Sequence, residues 1–170
     1  IERQLHKNNV KIIPGYAKFK NTHAVEVADA RGKIQSVINF DKALIATGTK
    51  PFLREDIIFD DEKILYTDIV LTLKELPRSM TIVGGGIIGC EYASIFSILG
   101  VNVTVVERRG DILSLIDREV RANLTHQLDL RKVHFCLNDV VNTCEKDNTG
   151  HVVTTLGSGR VITAETALFC

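Results

Sequence analysis

Gly84, Gly86 and Gly89 stand in the spacing Gly-x-Gly-x-x-Gly, directly after the apolar run Met80 to Val83 and directly before a long apolar stretch that opens with Ile87 and Ile88. An acid, Glu107, closes the next valine-rich run, roughly 20 residues beyond the loop. Alone the glycine spacing is weak; between a strand and a helix, with a trailing strand and acid, it is strong. Gly84 lets the chain turn sharply, a bare backbone at Gly86 lets a diphosphate approach, and Gly89 lets the helix lie close to the strand. The unpaired amides at the helix start, where Ile87 and Ile88 stand, add the positive end of the helix dipole. The chemistry these residues suit is therefore binding of a dinucleotide through its pyrophosphate. A strand–helix turn with no ligand, or with another anionic ligand, is the alternative.

Glu107 can accept hydrogen bonds from adenosine ribose hydroxyls, which favours NAD, because a 2′-phosphate would meet a like charge. Arg108 and Arg109 follow at once, and a guanidinium pairs well with phosphate. They are either solvated surface arginines or, together with Glu107, the means of accepting both NAD and NADP. Glu91 sits inside the apolar stretch and should have a partner: it faces the nicotinamide end of the site or pairs with a basic neighbour. The five histidines join no carboxylate or cysteine constellation, so no catalytic residue and no metal ligand is assigned.

The elements that must hold these groups follow from periodicity. Ile87 to Leu99 reads as a helix packed on a sheet and ended by Gly100. Val101 to Val106 reads as a buried strand, and Val133 to Leu137 as a third parallel one. Between these two, Asp117 caps a helix with Val120, Leu124 and Leu128 along one stripe. Beyond them, Asp147 to Gly150 and Gly157-Ser158-Gly159 are turns between valine-rich strands of a hairpin-like region. Upstream, Val10 to Ile13, the alternating Val25 and Val27, and Ile34 to Phe40 read as antiparallel strands, with a polar turn at Asp29 to Lys33. Lys42 to Gly48 suits a buried strand. Residues 51 to 66 read as a connector, and Thr67 to Leu76 as a short helix capped by Thr67 and stopped by Pro77. Asp41 to Ala46 echoes Glu165 to Cys170, which suggests two copies of one nucleotide-binding architecture.

With 170 residues there is room for one full domain and part of another. Lys and Arg balance Asp and Glu at 21 each, so neither nucleic acid nor an acidic membrane surface is indicated as a partner. No apolar run reaches bilayer length. Cys90, Cys136, Cys144 and Cys170 lack zinc or Cys-x-x-Cys spacing; buried, reduced thiols of a cytoplasmic protein are expected, with a redox pair or metal site as the alternative. The opening Ile1 and the ending on an apolar strand suggest a piece of a longer protein.

From Gly84 to Gly100 the sequence resembles the pyridine-nucleotide-disulfide oxidoreductase superfamily, and Cys90-Glu91-Tyr92-Ala93-Ser94-Ile95-Phe96 is most similar to its soluble pyridine nucleotide transhydrogenases. Lipoamide dehydrogenases share the glycines and Glu91 but differ at Cys90 and Tyr92. Ala46-Thr47-Gly48-Thr49-Lys50-Pro51 resembles the family's Ala-Thr-Gly-Ser-x-Pro segment, which leads from an FAD-binding stretch into the nucleotide domain. The resemblance implies an α/β fold: a Rossmann-like three-layer NAD(P)-binding domain over 53–170, with a parallel sheet and an antiparallel β-meander, after a β-rich remnant of an FAD-binding domain over 1–52. It implies a cytoplasmic, homodimeric parent with FAD, passing hydride between NADPH and NAD. A lipoamide dehydrogenase-like or other disulfide reductase, and a non-catalytic nucleotide-sensing module, are the alternatives. Without the rest of such a parent, this chain is expected to bind nucleotide weakly and to catalyse nothing.

Overall fold

A computed structural model describes all of residues 1–170. The chain divides into two compact units, Ile1–Thr49 and Lys50–Cys170.

The first unit holds helix α1 (Glu2–Lys7) and an antiparallel meander of β1 (Tyr16–Asn21), β2 (Ala24–Ala28) and β3 (Ile34–Asn39). The polar turn expected between β2 and β3 forms because the Asp29 carboxylate accepts from the Arg31 and Lys33 amides. Two expectations fail here. Val10 to Ile13 is not a strand, and neither is Lys42 to Gly48, where Leu44 is 92% exposed. An apolar run becomes a strand only where a neighbour takes up its N–H and C=O groups, and no strand of this chain pairs with either segment. The echo between Asp41 to Ala46 and Glu165 to Cys170 is therefore one of sequence, not of structure.

The second unit is the expected α/β domain. Its parallel sheet runs in the order β4 (Ile64–Tyr66), β11 (Thr166–Phe169), β5 (Ser79–Val83), β6 (Asn102–Glu107), β7 (His134–Leu137). Side chains alternate across it. Met80, Ile82, Val103, Val105 and Leu168 pack with Ala93 and Phe96 of α2 (Ile87–Ile98) and Leu128 of α3 (Arg118–Leu130). Ile64, Val106, Cys136 and Ala167 pack on the other face, with Val141 and Cys144 of β8 (Val141–Lys146) and Val152 and Leu156 of β9 (Val152–Leu156). These two strands and β10 (Val161–Ala164) form an antiparallel meander, so helices, sheet and meander make three layers.

The helix ends are as the sequence predicts. Asp117 accepts from the Glu119 and Val120 amides to cap α3, an interaction worth about 1 kcal/mol. At the end of α2, Gly100 takes φ +87° while its amide reaches Ser97 and that of Val101 reaches Phe96, the paired bonds of a Schellman ending. The α3 stripe is graded, from buried Leu128 through half-buried Leu124 to exposed Val120.

The connector is more ordered than its sequence predicts. It contains β4, and Thr67 to Leu76 holds only a single 3-10 turn, Val70–Thr72, with Ile69 at its start. Asp60 explains the order. Its Oδ1 accepts from the amides of Glu62, Lys63 and Ile64, and its Oδ2 pairs with Lys146 Nζ of β8 at 2.7 Å. Burial works against its charge, but Lys146 and the three amides prevail and hold the carboxyl well below the usual range. A carboxylate with a depressed folded value stabilises the fold above its unfolded pKa, near 4, and that contribution drains away as pH falls below it toward the folded value. Asp60→Asn is thus expected to lose about 2 kcal/mol at pH 7. In urea titrations the gap to wild type should narrow steadily below pH ~4; a gap independent of pH would show that the charge is not what matters.

Candidate nucleotide-binding site

Strand β5 delivers the chain to Gly84, where φ is +115° and an added Cβ would lie 2.7 Å from the Cys170 carbonyl oxygen. Only glycine fits both restraints. At Gly89 a Cβ would stand 1.9 Å from the Gly84 carbonyl oxygen, so the first turn of α2 rests directly on the loop. Gly86, the N-cap, differs: a Cβ there would meet nothing within 4 Å, and no side chain caps the helix.

The first backbone amide of α2 with an acceptor in the chain is that of Cys90, bonded to Gly86; those of Gly86, Ile87, Ile88 and Gly89 find none. Four free donors behind a bare Gly86 backbone form a cradle that fits the oxygens of a diphosphate.

Beside the loop, along the carboxyl ends of the parallel strands, lies a cleft of about 620 Å³. This is where open α/β sheets take their ligands. It gathers Gly84, Ile88, Glu107, Arg108 and Arg109 of the predicted residues. Arg108 and Arg109 are exposed and form no ion pair with any side chain of the chain. Gly86 and Ile87 stand exposed at the helix mouth, and Gly89 is buried under it.

Glu107 is only 7% exposed. Its Oε2 accepts from the Gly85 amide at 2.7 Å and its Oε1 from the Arg109 amide at 2.9 Å. Glu91 is exposed and does not line the cleft, and the pairing with a basic neighbour offered as one alternative does not form within this chain. The helix buries Cys90, Ala93 and Phe96 on one side, and Glu91 falls on the other, with Ile87, Ile95 and Ile98.

The sequence reading missed much of the cleft wall, including Phe52, Arg54, Tyr66, Asp139 and Val140. Arg54 is fixed by the Asp56 carboxylate and donates to the Val141 carbonyl at 2.8 Å. Asp139 is buried, and hydrogen bonds led by the Ser158 hydroxyl hold its carboxyl below the usual range. Asp139 follows the third parallel strand, so the rule that ligands gather at strand ends was the signal available.

Three thiols are buried as expected, Cys170 is exposed, and all four are free. Burial, with the nearby Glu107 charge, pushes Cys90 up to about 11, which makes it a poor nucleophile. No helix is long and apolar enough to cross a membrane.

The soluble pyridine nucleotide transhydrogenase of Mycobacterium tuberculosis is 40% identical over 169 residues, which are 99% of this chain and 36% of that protein. That of Pseudomonas fluorescens is 35% identical over 164 residues, 96% and 35% respectively. Among solved structures, LpdA from Mycobacterium tuberculosis matches with a TM-score of 0.85 at 26% identity, over 99% of this chain and 38% of that one. The HOCl-induced flavoprotein disulfide reductase RclA from Escherichia coli matches with a TM-score of 0.74 at 28% identity, over 95% and 36%. The chain thus spans little more than a third of the relatives it matches. With the layered sheet, the glycine loop and its acid already in place, a match to the family's sequence pattern over residues 1–170 completes the case: the chain belongs to the pyridine nucleotide-disulphide oxidoreductase family.

Proposed function

We propose that residues 53–170 bind the nicotinamide nucleotide in a FAD-dependent soluble transhydrogenase, and that residues 1–52 are the end of its first FAD-binding segment. Family membership implies use of FAD and of NAD(P). The observation that carries the assignment of the cleft is the row of four unpaired amides from Gly86 to Gly89 beside it. When bound, the flavin supplies the hydride exchange between NADPH and NAD; this chain's residues bind and orient. The α2 amides and the loop at Gly84 and Gly86 take the pyrophosphate. Glu107 has lone pairs left for ribose hydroxyls, and Arg108 and Arg109 stand ready for a 2′-phosphate. Glu91 lies at the same end of α2 as Ile87, outside the cleft wall, where it would meet only a nucleotide reaching past the helix mouth. One site serving both nucleotides in turn accounts for an acid and two arginines side by side. The parent would be a cytoplasmic homodimer.

Titration with NADH and NADPH tests this. Arg108→Ala or Arg109→Ala should weaken NADPH by about 1.5–3 kcal/mol and leave NADH nearly unchanged. Equal loss for both nucleotides would end the dual-specificity reading.

The likeness to RclA favours a second reading, reduction of a disulfide. The four cysteines of this chain are free and do not speak for or against it. Steady-state assays of the intact protein separate the two: NADPH consumed against an NAD analogue supports transhydrogenation, and against a disulfide alone the second reading.

A further inference from the structure

The Gly85 peptide is held from both sides. Its amide donates to Glu107 Oε2 at 2.7 Å, and its carbonyl accepts from the Leu113 amide at 2.8 Å. Gly85 occupies a position that the Gly-x-Gly-x-x-Gly spacing leaves free, yet a Cβ there would lie 3.0 Å from Glu107 Cβ and 3.0 Å from Ile112 Cγ2. The stem of Glu107 is packed against the loop, and its second oxygen accepts from the Arg109 amide. All of these contacts are made within the chain itself.

We propose that Glu107 is a positioning residue for the pyrophosphate, clamping the glycine loop through Gly85, in addition to any contact with ribose. This rests on the nucleotide reading of the cleft and deepens it. The clamp sets the loop and the four α2 amides before the ligand arrives, so little ordering remains to be done on binding. It also joins the loop to the backbone that carries Arg108 and Arg109, so the two halves of the recognition surface keep a fixed spacing. Glu107→Gln conserves shape but keeps a single, uncharged acceptor oxygen for the two amides, so one of the two bonds is lost and the other loses its charge, and the hold on Gly85 weakens whichever way the amide turns.

A ligand without ribose separates the roles. In the intact protein, wild type and Glu107→Gln are compared for binding of inorganic pyrophosphate, NADH and NADPH, with hydrogen exchange followed over the peptide that contains Gly85. The clamp predicts that Gly85 is protected in nucleotide-free wild type and exchanges faster in the variant. It further predicts that all three ligands weaken together, by roughly tenfold or more, the effect of losing one charged hydrogen bond. A ribose-only role predicts the reverse for pyrophosphate, since removing a carboxylate beside an anion leaves its binding equal or tighter. Unchanged exchange at Gly85, or pyrophosphate binding undiminished in the variant, overturns the proposal. Should wild type bind none of the three ligands, the nucleotide reading falls, and exchange at Gly85 still decides whether Glu107 clamps the loop.

Discussion

Gly89→Ala should abolish binding of NADH and NADPH and lower stability by about 3 kcal/mol or more. The reason is that the obstacle is backbone. An alanine methyl would sit 1.9 Å from the Gly84 carbonyl oxygen, an atom with no rotamer to change. Gly84 cannot yield easily, because its amide is tied to the Val106 carbonyl and its own Cα faces the Cys170 carbonyl. Relief therefore requires α2 to slide off the loop, which uncovers Ala93 and Phe96 and scatters the four free amides together. Urea unfolding and nucleotide titration should report both losses at once. Gly86→Ala is the control for position: its Cβ meets no protein atom within 4 Å, so the fold should stay intact while the ligand is obstructed. If Gly89→Ala retained wild-type affinity, the loop would not be the binding element.

Leu168→Ala is expected to cost about 3 kcal/mol, within the range for truncating a fully buried leucine. Leu168 is wholly inaccessible and lies in β11, the strand between β4 and β5, on the side that faces the helices. Neighbours such as Met80 and Ile82 are themselves strand residues locked in register, so the space left behind cannot close by local collapse. The denaturation midpoint should fall with an unchanged slope. Val161→Ala, on the exposed side of the edge strand β10, should stay within about 0.5 kcal/mol of wild type. Comparable losses at the two positions would mean that β11 is not the centre of the core.

Much of the site was legible because its signals are local. Gly84, Gly86 and Gly89 announce a loop whose conformation only they allow; Asp117 and Gly100 mark helix ends through hydrogen bonds within a few residues; Val103, Val105 and Val106 announce a strand covered on both faces. What escaped depends on distant partners. Ile64 to Tyr66 has no strand signature of its own and becomes β4 because β11 offers it a ladder. Lys42 to Gly48 has the signature and no ladder, so it remains irregular. Helix α1 was missed because nothing in Glu2 to Lys7 is buried, which leaves no apolar stripe to read. The exposure of Glu91 was hidden for a related reason: α2 is apolar around most of its circumference, and composition alone does not say which side faces the sheet. The Gly85 contacts were invisible because Glu107 lies 22 residues away.

The position of β11 has a consequence for how the domain is made. Strand β4 pairs with no other strand, and the partners Ile64 and Ala167 are about a hundred residues apart along the chain, so closing that loop carries an entropic penalty that later contacts must offset. During synthesis the β5-α2-β6 unit with its glycine loop can assemble early, since its neighbours are close in sequence, whereas β4 must wait, unpaired, until Thr166 to Phe169 has emerged. The half of the sheet that carries the glycine loop is thus built for early assembly, and the opposite edge closes last.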